Sequence, residues 1–456
     1  MLITFKISNF LSFDAQSAFL MQAGTVRESL HHVIKGASRN DVDILKSAII
    51  YGANASGKSN FIKAVEFAQN IIVKGLSKTA TENKHFRLDN ANIDKPTQFE
   101  FEFKHNGKMY AYGVVLSLKA RKIKEEWLFE LLKTTDKPIF ERKVLANGKS
   151  EITLSLKLDT EGKHRFEVYK KDIKETQLFL SEINDKNMDD MPNVQPFKDA
   201  FEWFKSQIVI IYPETTLKGL NFMGDNEEMK DAFGHFLAIF KTGVQAVETI
   251  EQDMGDKIST KQQEDILNDL NEKDVKGITI SLGKNTHTFS KNEEGNLKMF
   301  KLHTKRAVKD SKELVNFDIE DESDGTRRIM DFIPALIGLA QTNKTYLIDE
   351  IDRSLHPELT QKILETFFLN TEGIESQLIV TTHESSLLDL SLLRRDEIWF
   401  VEKDKNGASQ MYSLEQFKPR HDKEVRKAYL QGRFGAIPFV SNVKDLGWLK
   451  KELVKI

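Results

Sequence analysis

The chain has 456 residues, the length of about three domains at roughly 150 residues each or of one elaborated core, and its 40% hydrophobic content excludes a disordered or fibrous chain. Sixty-six Lys and Arg against 69 Asp and Glu leave a formal charge of -3, so a protein-wide basic surface for non-specific nucleic-acid binding is excluded and any such contact has to be local. With 0 Cys, a disulfide scaffold, a Cys-based zinc site and thiol chemistry are excluded together, and a cytoplasmic address is expected.

The opening segment carries Lys6, Asp14, Arg27 and Glu28 without a continuous apolar run, so no secretory signal is expected. No stretch approaches about 18 uninterrupted apolar residues, so neither is a membrane-spanning helix. "LITFKISNF" alternates Ile3, Phe5 and Ile7 with polar residues and reads as a half-buried strand. A continuously apolar strand follows at "SAIIYG", residues 47–52. After it come Gly52 and Gly57, then Phe61, Val65, Ala68 and Ile72 at helical spacing, which is strand, glycine loop, helix.

From 98 to 133, Phe99, Phe101 and Phe103 alternate with charge, and Asn106-Gly107 marks the turn of an antiparallel hairpin. Residues 134–300 read as short mixed elements, with a strand at 207–212, a helix around 227–241 and no catalytic motif, sustained heptad or repeat. An α/β rhythm returns with a helix from about 325 to 341, the strand "TYLIDE", a helix at 357–368 and the strand "QLIVTTH". The last forty residues are locally basic through Lys418, Arg420, Lys423, Arg426, Lys427 and Arg433, as a solvated helix face or a partner patch would be.

"GANASGKS", Gly52 to Ser59, fits G-x-x-x-x-G-K-[ST]; its glycines let successive backbone N–H groups curl around a phosphate chain at a helix start. Gly52, Asn54, Ser56, Gly57, Lys58, Ser59 and Asn60 are the nucleotide-contact candidates, with Lys58 for the β- and γ-phosphates and Ser59 for Mg²⁺. An apolar strand ending in Asp349-Glu350 supplies a metal-side carboxylate, Asp349, and a water-activating base, Glu350, and strand alternation would turn the two to different sides of the phosphate. His383 ends another apolar strand; a structural histidine is the alternative to a γ-phosphate contact. "ESDGTRR" precedes an apolar helix, and Ser323 and Gly325 there form either a helix cap or a second anion-binding turn.

With these residues in place the chain resembles the ABC-type ATPases, in particular the SMC-like and RecF-like branch and the short AAA family ATPases of bacterial phage-defence and abortive-infection operons. The carriers are "ITFKISNFLSF", "GANASGKS", "ESDGTRR" in the place of the signature motif, "LIDEIDRSLHP" as Walker B with D-loop, and "TTHE" as the H-loop. The resemblance implies an α/β fold: a P-loop ATPase head with a mixed sheet, an antiparallel β subdomain and an α/β insertion. The head would take residues 1–133 and 301–415, the insertion 134–300, and a basic helical tail 416–456. It further implies a head-to-tail homodimer or larger homo-oligomer sandwiching ATP, with Ser323 and Gly325 acting in trans and Ser354 and His356 at the interface. "SDG" departs from the family's "SGG", and Gln98 is the candidate for the Q-loop glutamine. A hydrolysing Mg²⁺-ATPase controlling a separate effector, a nuclease or toxin from the same operon, is the leading functional expectation. A DNA-binding repair ATPase and a slowly hydrolysing assembly scaffold are the alternatives.

Overall fold

A computed structural model describes residues 1–37, 41–132, 134–186, 191, 193–214, 227–272, 277–282, 285–292, 294–311, 313–419 and 424–437. The chain divides into two compact units, one of Leu2–Lys205 with Val380–Ile456, the other of Ser206–Ile379 with Met1.

The N-terminal stretch runs through β1 (Leu2–Ser8), β2 (Ser17–Leu20), the two-residue strands β3 (Val33–Ile34) and β4 (Ile44–Leu45), β5 (Ser47–Tyr51) and α1 (Lys58–Lys74). It continues with β6 (Thr97–His105), β7 (Lys108–Ser117), β8 (Lys122–Glu130), β9 (Lys137–Val144), β10 (Ser150–Leu154), α2 (Thr160–Asp172), α3 (Phe179–Asn184) and α4 (Gln195–Glu202). Seven of these strands form one antiparallel sheet in the order β10-β9-β8-β7-β6-β1-β2. The β6–β7 turn is Asn106-Gly107 with φ of 49° and 74°, the two positive values that a tight hairpin turn of matching twist needs. Alternation along β6 buries Phe99, Phe101 and Phe103 together, and α1 lays Phe61 edge-on against Phe5 of β1 at 5.7 Å. That apolar face is what α1, the helix of the glycine loop, rests on.

A buried ion pair ties the far strands of this sheet to the helices. Glu126 of β8 accepts from the Phe179 and Leu180 N–H groups (2.6 and 2.9 Å) and from the Tyr112 hydroxyl (3.0 Å), and lies 3.4 Å from Arg142 Nη1. Burial raises the Glu126 pKa against the opposing pull of Arg142 and these donors.

The second unit contains β11 (Ile208–Ile211), α5 (Glu227–Ile239), β12 (Ala246–Gln252), α6 (Thr260–Glu272), β13 (Gly277–Leu282), β14 (Asn285–Lys291), β15 (Leu297–Ala307) and β16 (Leu314–Asp318). After these come α7 (Asp324–Gln341), β17 (Thr345–Ile348), α8 (Pro357–Asn370) and the first half of β18 (Gln377–Thr382). An antiparallel group runs β12-β15-β14-β13, with β16 also on β15. Separately, β11 pairs in parallel with β17, Ile208 opposite Thr345, and β18 stands beside β17.

In the first unit the end of β18 is followed across the sheet by β5, then β19 (Ile398–Lys403) and β20 (Ser409–Ser413). β5 and β19 are parallel, β19 and β20 antiparallel, and a short α9 (Val425–Leu430) comes after them. Every residue of β5, β17 and β18 is buried, which is why these strands read as unbroken apolar runs rather than alternations. Of the expected basic tail, 420–423 and 438–456 lie outside the described residues, which include α9. Among the described residues no helix is long and apolar enough to cross a membrane.

Candidate functional site: a phosphate loop and an acidic strand end

β5 closes at Tyr51, and residues 52–57 turn the chain into α1, whose first residue is Lys58. Two glycines are obligatory in that turn for reasons of space. A Cβ on Gly52 would run into the Val401 carbonyl oxygen, and one on Gly57 into the hydroxyls of Ser409 and Ser12; Gly57 also has φ of +119°. The same crowding reveals what holds the loop. Asn60 Nδ2 donates to Ser12 Oγ at 2.9 Å; Ser409 Oγ lies 2.8 Å from Ser12 Oγ and 2.5 Å from the Ser56 carbonyl oxygen. A carbonyl only accepts and a hydroxyl has one proton, so the donors run from Asn60 through Ser12 and Ser409 to Ser56.

Lys58 is 4% exposed, with its ammonium folded into the loop it begins. Nζ donates to the carbonyls of Gly52 (2.8 Å) and Ala53 (3.1 Å) and lies 3.2 Å from His383 Nδ1. An ammonium can only donate, so Nδ1 accepts and the ring proton of neutral His383 sits on Nε2. His383 directly follows β18, and its ring stands beside Lys58 of the loop. Ser59 and Asn60 stand half-buried in the first turn of α1, and Asn54 is exposed on the loop.

Asp349, Glu350, Ser323 and Gly325 belong to the other unit. Asp349 N donates to the Ile211 carbonyl at 2.9 Å, carrying the β11–β17 ladder one residue past β17. The strand stops at Ile348, so the strand alternation expected of Asp349 and Glu350 does not reach them: Glu350 has φ of +49°, and this left-handed residue turns the chain. Arg353 Nη1 lies 2.9 Å from Glu214 Oε1 and 3.9 Å from Glu350 Oε2. Ser354 is also left-handed, and its carbonyl would stand 3.1 Å from a Cβ on Gly325, so "SDG" lies against the turn after Glu350 within one unit.

Ser323 is the N-cap of α7, its hydroxyl accepting from Thr326 N at 3.2 Å. Next to it, buried Glu322 accepts from Thr304 Oγ1 at 2.6 Å and from Arg306 Nε at 3.1 Å. Burial pulls the Glu322 pKa upward, and the Arg306 and Thr304 hydrogen bonds outweigh it, holding the carboxyl below its ordinary value. His356 caps α8 through Nδ1, which accepts from Glu358 N. Gln98 sits within β6, opposite Ser8 and Val115.

The residues around the loop fit a phosphate chain: a backbone cradle without side chains at its two tightest points, an ammonium buried inside it, and a Ser56 hydroxyl that is buried with no protein partner. Among the described residues no group of three His, Asp or Glu could hold a metal by itself. Mg²⁺ in a nucleotide site needs only one or two protein oxygens besides phosphate and water, and Ser59, in the first turn of α1, carries one hydroxyl of that kind. Ser409 and the Arg306–Glu322 pair escaped sequence reading altogether, and Ser12 stood inside "NFLSF" without an assigned role.

Comparison with protein families matches residues 47–389 to the family described as "AAA domain, putative AbiEii toxin, Type IV TA system". Comparison with curated proteins returned no match. Among solved structures, the chain is similar to one described as "Crystal structure of the SmcHead bound to the C-winged helix domain of ScpA", at 14% identity and a TM-score of 0.41, covering 92% of this chain and 99% of that one. It is also similar to the SMC head domain from Thermotoga maritima, at 11% identity and a TM-score of 0.36, covering 90% and 98%.

Proposed function

The chain belongs to this AAA-domain family, and on that premise we propose that it binds and hydrolyses ATP with Mg²⁺, that ATP joins two copies head to tail, and that the assembly controls a separate effector in anti-phage defence. The observation that carries the nucleotide reading is Lys58 buried in a backbone cradle with His383 beside its ammonium. Loop N–H groups and the start of α1 bind the phosphates. Lys58 exchanges the Gly52 and Ala53 carbonyls for β- and γ-phosphate oxygens. Bound Mg²⁺ would supply the positive charge that neutralises those oxygens, with Ser59 and Asp349 as its protein ligands. Glu350 accepts the proton of the attacking water, and His383 donates its Nε2 proton to the γ-phosphate. Ser323 and Gly325 of the second copy complete the site from the other side. The family description names a putative toxin of a toxin–antitoxin system, which supports a role in a system of more than one protein.

The test is steady-state ATP hydrolysis by the pure chain with and without Mg²⁺, followed by nuclease assays on the chain alone and with its operon neighbour. Absence of Mg²⁺-dependent hydrolysis overturns the ATPase reading. Metal-dependent cleavage of nucleic acid by the chain alone overturns the separate effector.

A further inference from the structure

In the unit Ser206–Ile379 with Met1, β16 is an edge strand: among the described residues it pairs with β15 and with no other strand. The phase of hydrogen bonding tells which of its backbone groups point outward. Gln245 N donates to Lys305 O on the β12 side of β15, and Val308 N donates to Glu313 O on the side of β16. By alternation Thr304 and Arg306 bond toward β16 and Lys305 does not. Asn316, opposite Lys305, therefore turns its N–H and C=O away from β15, and so do Leu314 and Asp318. Among the described residues no backbone group pairs with these outward ones.

This edge lacks the devices that keep edges from pairing. Leu314, Val315, Asn316 and Phe317 are all exposed, the three apolar ones at 41%, 42% and 39%, and none of the four is charged or a proline. The charges beside the edge are already matched: Lys305 lies 3.0 Å from Glu248, Lys301 lies 2.6 Å from Asp318, and Arg306 pairs with Glu322. A strongly charged foreign segment finds no counter-charge here.

The strand is instead complementary to itself. A two-fold axis through Asn316 sets Val315 opposite Phe317 of a second copy, and Phe317 opposite its Val315, on one face of the sheet. On the other face Leu314 stands opposite Asp318 and Asn316 opposite Asn316. No like charges meet, and an aromatic ring beside a β-branched side chain is a favourable cross-strand pair.

We propose that β16 pairs antiparallel with β16 of a second copy of this chain, about a two-fold axis at Asn316, so that β12, β15 and β16 of both copies run as one sheet. The contact is separate from the one proposed through ATP and needs no nucleotide. Two strands of 5 residues fall well short of the roughly 1,200 Å² that a stable interface buries, so the dimer is reversible and fills with concentration.

The test uses the full chain carrying Lys58→Ala, without nucleotide, which keeps the contact proposed through ATP out of the measurement. With 0 Cys in the chain, one introduced thiol reports one position. Residues opposite each other in such a pair stand about 5.5 Å apart at Cα, so a short bis-maleimide is expected to link Asn316→Cys chains at least about tenfold faster than Lys362→Cys chains, whose thiol sits on the exposed side of α8. Sedimentation velocity from micromolar to hundreds of micromolar is expected to show a monomer–dimer equilibrium. Val315→Lys and Asn316→Pro, the latter removing an outward N–H and no ladder bond, are each expected to weaken it at least about tenfold with an unchanged thermal melt, because a two-fold contact carries every change twice. Should either edge variant fail to fold, the crosslinking comparison decides alone. A monomer at every concentration, Asn316→Cys linking no faster than Lys362→Cys, or full dimerisation by both folded edge variants overturns the proposal.

Discussion

The Ser409 hydroxyl oxygen lies 2.5 Å from the Ser56 carbonyl oxygen, across 353 positions of sequence, and occupies the space a Cβ on Gly57 would need. The glycine loop is thereby shaped from outside its own motif. Replacing Ser409 by Ala removes one hydrogen bond, about 0.5–1.5 kcal/mol, and is expected to weaken ATP binding by roughly two- to tenfold. Gly57→Ala combines a steric clash with a left-handed backbone position and is expected to abolish binding. Calorimetric titration with a non-hydrolysable ATP analogue reads both; wild-type affinity in Gly57→Ala would contradict the geometry.

On the proposed mechanism, substitutions at Lys58 and Glu350 are expected to separate binding from turnover. Lys58→Ala is expected to weaken nucleotide binding, whereas Glu350→Gln keeps binding and slows hydrolysis by about 10²–10⁴, the usual contribution of a positioned base. Rapid-quench turnover with labelled ATP distinguishes them. Unchanged turnover in Glu350→Gln removes Glu350 from the mechanism.

The proposed sharing of the site between copies predicts complementation between variants. Lys58→Ala and Ser323→Arg chains, each inactive alone, are expected to regain part of the ATPase activity when mixed, because one of the two composite sites then carries neither change. Mixtures as inactive as their parents, with subunit exchange demonstrated, would show that Ser323 does not act in trans.

Glu322 predicts a pH dependence of folding. Its folded pKa lies below its unfolded value, held down by Arg306 and Thr304 against burial, so its contribution is present above the unfolded value of about 4.3 and is lost as pH falls through the folded one. Glu322→Gln is expected to be less stable than wild type near neutrality and to lose less stability on acidification. Urea unfolding from pH 7 down to about pH 3 checks this, and parallel curves would rule it out.

Glu126 carries a larger stability effect. It is fully buried with Arg142 and accepts two backbone N–H groups, so Glu126→Ala strands a buried guanidinium and is expected to cost about 3–5 kcal/mol. A loss under about 1 kcal/mol in denaturant unfolding would mean that Arg142 finds another partner.

What the amino-acid sequence by itself determined is local. The glycine spacing of 52–57, the apolar runs of β5, β17 and β18, and the Asn106-Gly107 turn are legible because each depends on residues a few positions apart, whose sterics and periodicity need no distant partner. The acids after Ile348 were legible as chemistry, and strand alternation was expected to continue through them, whereas β17 ends at Ile348 and Glu350 has a left-handed backbone; that conformation is uncommon for a glutamate and nothing in the neighbouring residues announces it. Tertiary structure alone decided that Ser409 and Ser12 brace the glycine loop and that Arg306 and Thr304 hold Glu322 beside the N-cap of α7. In each case a polar group finds its partner across a fold rather than along a chain, and single serines, arginines and strand edges look the same in sequence whether or not such a partner exists.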